Sequence, residues 1–192
     1  AFRLLLLLDR DYEREPGWRT DQGAAGNVKE SQFVWSRHSI ESVLIEPRTL
    51  AIWLKAFLGE STPPELPAII ERAVAKADTD EELQQSAEEQ LVAELLRGKV
   101  RDAKNEQQAV VRVLREARKA VSDAPAVWQR GKDRAARVLG AIREELGHEQ
   151  RSQLPTDVIR LLARLDLARV PSPAAAVPPE VSAVLEHMTQ GA

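Results

Sequence analysis

The chain opens on a nearly continuous apolar run, Phe2–Leu8, that stops abruptly at Asp9-Arg10-Asp11. Five consecutive leucines also suit a helical turn, but the shortness of the run and its polar stop predict a fully buried strand of the kind found in parallel sheets. Over 12–31, Pro16, Gly17, Gly23, Gly26 and Asn27 lie among charged residues, which predicts a long loop. Gln32–Arg37 predicts a second strand with Phe33, Val34 and Trp35 as its body. From Glu41 the period changes. Val43, Leu44, Leu50, Ile52, Trp53, Leu54, Phe57 and Leu58 fall at helical spacing, with an interruption near Pro47.

The middle of the chain reads as helix. Thr79 is placed to act as N-cap with Glu82 as its capping-box partner, and Leu83, Ala87, Leu91 and Leu95 follow at helical spacing up to Gly98. Val100 to Ala120 carries Val110, Val111, Val113, Leu114 and Ala117 on one side and charges on the other, so the short link at Gly98 predicts an antiparallel hairpin. After a break at Ser122–Pro125, Asp133–Leu146 is amphipathic through Ala135, Val138, Leu139, Ile142 and Leu146. Pro155–Leu165 and Pro179–Met188 predict two further short helices, separated by a proline-stiffened stretch at Pro171–Pro179. The segments group as 1–60, 61–122 and 123–192, with no internal repeat.

Composition narrows the chemistry. The chain has 192 residues, 30% charged and 43% hydrophobic, with a net charge of −3 and no cysteine. The length is enough to bury a core without disulfide support. Lack of cysteine removes thiol catalysis and thiolate-bound zinc or iron–sulfur sites, and fits a reducing cytoplasm. The slight acidity excludes broad electrostatic coating of nucleic acid but leaves room for a local basic groove. With 4% aromatics, a base-stacking surface is not expected. No segment approaches the roughly 20 apolar residues of a membrane-spanning helix.

Three local features can carry chemistry. The first is the apolar run ending in Asp9 and Asp11, spaced i and i+2, so that in a strand both carboxylates point to the same side. At the carboxyl end of a strand in an open α/β sheet they could share a hard divalent cation; alternatively Asp9 caps a turn and Asp11 is solvated. The second is Trp35-Ser36-Arg37-His38-Ser39-Ile40-Glu41-Ser42, where strand gives way to helix. Glu41 offers a third carboxylate, although a glutamate in a first helical turn also simply complements the macrodipole. His38 could orient a phosphate, assist proton transfer, or hydrogen-bond a loop. The third is Trp128-Gln129-Arg130-Gly131-Lys132-Asp133, just ahead of an amphipathic helix. Lys132 could neutralise charge on a phosphoryl transition state, or be an ordinary surface lysine. Neither Gly131-Lys132 nor Gly98-Lys99 belongs to a P-loop. The basic clusters Arg112–Lys119 and Arg130–Arg137, interleaved with apolar and acidic residues, predict solvated faces. His148 and His187 match no metal-ligand spacing.

Taken in order, the strand ending in Asp9-Arg10-Asp11-Tyr12, the glycine-rich loop, and the segment Trp35–Arg37-His38-Ser39-Ile40-Glu41-Ser42 leading to Pro47 resemble a known arrangement. It is similar to the C-terminal Toprim nuclease region of ATPase–Toprim proteins, relatives of the overcoming-lysogenization-defect nucleases. The resemblance is clearest over 1–60 and weaker over 125–165. It implies a mostly helical α/β fold, a partial Toprim-type parallel sheet with a large helical insertion. It further implies metal-dependent hydrolysis of DNA, with Asp9, Asp11 and Glu41 holding Mg²⁺ or Mn²⁺. Lys132 would act on the phosphate and His38 assist. DNA, an ATPase domain in cis or in trans, and assembly into dimers or larger oligomers are the implied partners. That family also carries a catalytic glutamate on a strand before the Asp-x-Asp strand, and an ATPase with a Walker A sequence. Neither is present in this sequence, which suggests a piece of a longer polypeptide. Two other readings compete. A phosphatase of the haloacid dehalogenase type also has a strand ending in Asp-x-Asp, but requires Thr or Val where this chain has Tyr12-Glu13. A non-enzymatic helical interaction domain would use the 79–120 hairpin as its working surface.

Overall fold

In a computed structural model of the chain, the residues described are 2–9, 15–21, 28–99, 106–165, 167–170 and 176–189. The fold is mostly helical with one small mixed sheet, and its contacts divide it into two units. The first comprises Ala1–Ile40 and Thr79–Arg130, the second Glu41–Asp78 and Gly131–Ala192.

In the first unit, strands β1 (Phe2–Leu8), β2 (Gly17–Asp21) and β3 (Val28–Val34) form a sheet in the order β1-β3-β2. β3 is central, parallel to β1 and antiparallel to β2. Phe33, Val34 and Trp35 are buried at its end. Register sets Trp18 directly opposite Phe33, with ring centroids 4.9 Å apart, and the i, i+2 spacing brings Trp35 to 5.2 Å from Phe33. β2 lies inside the stretch expected to be loop. Its backbone is held by the ladder to β3 rather than by its own composition, and Gly17 enters it at φ 109°, a conformation natural to glycine. β3 also starts and ends earlier than the expected second strand. The expectation that β1 is fully buried does not hold: Leu7 is 47% exposed. An apolar run supplies the capacity for burial, but β1 is an outer strand of this sheet and the Leu7 side chain stays about half open to water.

Helices α4 (Glu81–Lys99) and α5 (Glu106–Asp123) form the expected hairpin, closed by the short α6 (Pro125–Trp128). Ala87 and Leu91 meet Ala117 and Val121, early residues of one helix against late residues of the other, so the two run antiparallel. On each helix an alanine and a larger apolar residue alternate at i, i+4, so the two faces fit together. The start of α4 lies one residue later than expected: Asp80, not Thr79, is the cap, its Oδ1 accepting from the Leu83 N–H at 3.0 Å.

The second unit is built from α1 (Ile40–Leu44, all but its first residue), α2 (Pro47–Leu58), α3 (Leu66–Asp78), α7 (Gly131–Glu145), α8 (His148–Gln153), α9 (Val158–Ala163) and α10 (Pro179–Thr189). Pro47 divides α1 from α2 as expected. The residue before a proline is pushed to extended backbone, and Glu46 (φ −60°, ψ 130°) uses that geometry to cap α2, accepting from the Arg48 and Thr49 N–H groups. α3 is not among the expected elements, although Leu66, Ile69, Ile70, Ala73 and Ala77 are buried on one helical face. They pack against α2 and against Ala135, Val138, Leu139 and Ile142 of α7. Trp53 of α2 donates its indole N–H to the buried Ala176 carbonyl at 2.8 Å, fixing the approach to α10.

One member of the second basic cluster departs from the expected solvated face. Arg134 is 2% exposed, and its Nε and Nη2 both donate to Asp78 Oδ1, at 3.1 and 2.6 Å. This bond joins the end of α3 to the start of α7. Around it lie exposed pairs between the same helices: Arg72 with Glu145, and Lys76 with Glu144 at 3.0 Å. Asp78→Ala should therefore destabilise the chain by about 3 kcal/mol, because it strands a buried guanidinium, whereas the double variant with Arg134→Met should recover most of that loss. Urea unfolding of both variants checks this. The Lys76 ammonium holds the Glu144 carboxyl below its ordinary value, through its hydrogen bond first and its charge second. A lowered carboxyl pKa stabilises the folded state above the ordinary carboxylate range, and the contribution disappears as pH falls through the lowered value. The stability gap between the native chain and Lys76→Ala should thus close in strong acid; a gap that ignores pH would show that the pair contributes nothing.

Candidate functional site

Asp9 directly follows β1 and is exposed, as a carboxylate at a strand's carboxyl end should be; just before it, the Trp35 N–H donates to Leu8 O at 3.2 Å and extends the β1–β3 ladder by one bond. Asp11 lies outside the described residues. His38 sits in the bend between β3 and α1 and is half-buried. Asp9 and His38 belong to the first unit, and Glu41 and Lys132 to the second.

Within the second unit, Glu41 and Lys132 come together. Both line one cavity of about 410 Å³, with Ala135 and Ala136 of α7 and the segment Thr156–Arg160 at the start of α9. Glu41 occupies the first turn of α1, where its charge suits the helix dipole. Lys132 is the second residue of α7, where the same dipole opposes a cation, and Asp133 beside it offsets part of that cost. Lys132 is exposed and takes part in no ion pair among the described residues. The two alanines keep the wall next to it low, leaving the ammonium open to the cavity.

Arg160 and Asp157 were not expected here. Asp157 caps α9, its Oδ1 accepting from the Ile159 N–H at 2.7 Å and from the Arg160 N–H at 3.1 Å, and so fixes the backbone from which Arg160 projects. Thr156-Asp157 ahead of Val158-Ile159 is a readable helix-start signal. It announces a cap, however, and carries no sign that the capped turn lines a cavity with Glu41 and Lys132. The expected helix Pro155–Leu165 shortens to Val158–Ala163 for the same reason, since Asp157 ends the extended entry.

Chemically the cavity offers the Glu41 carboxylate, the Asp157 carboxylate that caps α9, two cations from Lys132 and Arg160, and a hydroxyl from Thr156. That set suits an anion with oxygen acceptors, such as a phosphate group, beside a carboxylate able to take a proton or share a hard cation. Among the described residues no group of three or more His, Cys, Asp or Glu could hold a metal ion, and no helix is long and apolar enough to cross a membrane.

No protein-family profile, curated protein sequence or solved structure matches this chain. Because Asp157 sets the start of α9, Asp157→Ala should lower stability by about 1 kcal/mol, while Asp157→Ser, which still caps, should cost less. Thermal unfolding followed by circular dichroism distinguishes the two; equal losses would mean that the carboxylate acts otherwise than as a cap.

Proposed function

We propose that this chain is the phosphodiester-cleaving region of a metal-dependent DNA endonuclease of the ATPase–Toprim type. The observation supporting this reading is the convergence of Glu41 and Lys132, far apart in sequence and singled out for separate reasons, on one cavity that Arg160 also lines. Lys132 supplies a compact positive charge to a non-bridging phosphate oxygen, and Arg160 a fork of donors suited to a second one. Neither reads a base, so binding acts on the backbone and is indifferent to sequence.

A divalent ion of the Mg²⁺ or Mn²⁺ kind is commonly held by only one or two carboxylates, the rest of its shell being water and substrate phosphate. Glu41 fits that requirement in the second unit; Asp9, which belongs to the first, and Asp11 remain donors that the resemblance alone implies. Such an ion, when bound, withdraws electron density from the phosphoryl group. Glu41 also orients the entering water, and His38 is the proposed aid to proton transfer. DNA and an ATPase, in cis or in trans, are the proposed partners.

A second reading, the non-enzymatic helical interaction domain, is favoured by the hairpin, where Val111 and Leu114 are about half exposed (48% and 49%). Plasmid nicking in Mn²⁺, measured beside calorimetric Mn²⁺ binding, separates the two. The nuclease reading expects nicking that falls about a hundredfold in Lys132→Ala, and metal binding weakened in Glu41→Gln. Nicking that survives both substitutions, or a chain that binds no divalent ion, would overturn it.

A further inference from the structure

The hairpin of the first unit carries a second concavity, independent of the cavity just described. A groove of about 720 Å³ runs along one side of it, lined on α4 by Glu81, Gln84, Gln85, Glu88, Glu89 and Val92, and on α5 by Leu114, Arg115 and Arg118. Its walls have opposite charge. Between 81 and 94, α4 holds five glutamates and no basic residue; between 112 and 119, α5 holds four basic residues and one glutamate. Leu114 and its neighbour Val111 leave apolar surface beside the basic wall, half open to water. The charges are only partly used within the hairpin: Arg118 reaches Glu88 at 3.4 Å, while Arg115 and Glu81 form no ion pair among the described residues.

We infer that this face pairs with the same face of a second copy of the chain, so that two hairpins make a four-helix bundle. Two-fold symmetry can bring two such faces together in two ways. An axis across the helices sets α4 on α4 and α5 on α5, which opposes like charges. An axis parallel to the helices sets α4 of one copy on α5 of the other along their whole length, so the glutamates face the basic residues twice over. Charge selects the second arrangement. The helices are long enough: from Glu81 to Glu94 α4 extends about 20 Å. The Arg118–Glu88 pair shows which residues share a level, so Glu89 of the facing copy lies beside Arg118, and Val92 of one copy approaches Leu114 of the other. The apolar centre with a charged rim is the composition of a protein interface.

Light scattering on the eluting 192-residue chain, over a range of micromolar concentrations, reads the outcome. The expected mass is twice the 21.4 kDa of one chain, falling towards that of one chain on dilution or in high salt. Leu114→Glu should weaken dimerisation about tenfold or more without loss of helical circular dichroism. The decisive arm uses the charges. Arg118→Glu alone and Glu89→Arg alone should each be monomeric, and mixing the two should restore a dimer, because each wrong charge then meets its opposite. A chain that stays monomeric throughout, a dimer indifferent to Leu114→Glu, or single variants that dimerise as well alone as mixed would overturn the inference.

Discussion

The contact on which the second unit depends is the one between Arg134 and Asp78. A guanidinium that is almost wholly buried tolerates few arrangements, because every rotation of α7 away from Asp78 leaves it charged and unmatched. Its third nitrogen, Nη1, is buried without a partner among the described residues, so the hydrogen bonds to Asp78 carry the compensation. The apolar stripes of α3 and α7 supply the adhesion, but adhesion between Leu, Ile, Val and Ala faces allows slippage. The ion pair selects one rotation, and with it the position of Lys132, which sits two residues before Arg134. The wall of the cavity is thus set from the core side of the same helix.

Charge is used differently in the two units. In the second, a buried pair specifies packing, and the exposed pairs Arg72–Glu145 and Lys76–Glu144 follow from it. In the first, the core of the hairpin is Ala87, Leu91, Ala117 and Val121, all apolar, and the charges are sorted by helix on the outside. The buried residues of the hairpin lie on the inner faces of α4 and α5, which leaves their outer faces to polar and charged residues. A groove opens along one such face, and its two walls differ in sign because glutamates line α4 there and arginines line α5.

Much of the helical part was legible because burial and sequence period agree there. The Leu83–Ala87–Leu91 face, the α7 stripe, and the break at Pro47 all appear where the pattern puts them. Errors arose where a local signal competed with a partner elsewhere. β2 has a loop's composition and exists because β3 offers it a ladder. Asp80 and Thr79 are equally able to cap, and the first turn of α4 chose Asp80. Leu7 has the residue type of a core yet stays 47% exposed on an outer strand, which residue type alone does not reveal. α3 differs from these: its buried positions Leu66, Ile69, Ile70, Ala73 and Ala77 form a clear helical period in the sequence itself.

The sequence by itself determined the helical character, the antiparallel hairpin, the absence of thiol chemistry and the presence of Glu41 and Lys132 at element starts. These follow from local period, capping chemistry and composition, which act over a few residues. Only the tertiary structure decided that Glu41–Asp78 and Gly131–Ala192 share one unit while 79–130 belongs to the other. It alone buried Arg134, and it alone set Arg160 beside Lys132 and Glu41 around one cavity. Such decisions depend on which apolar faces find each other across long stretches of chain, and no window of neighbouring residues contains that information.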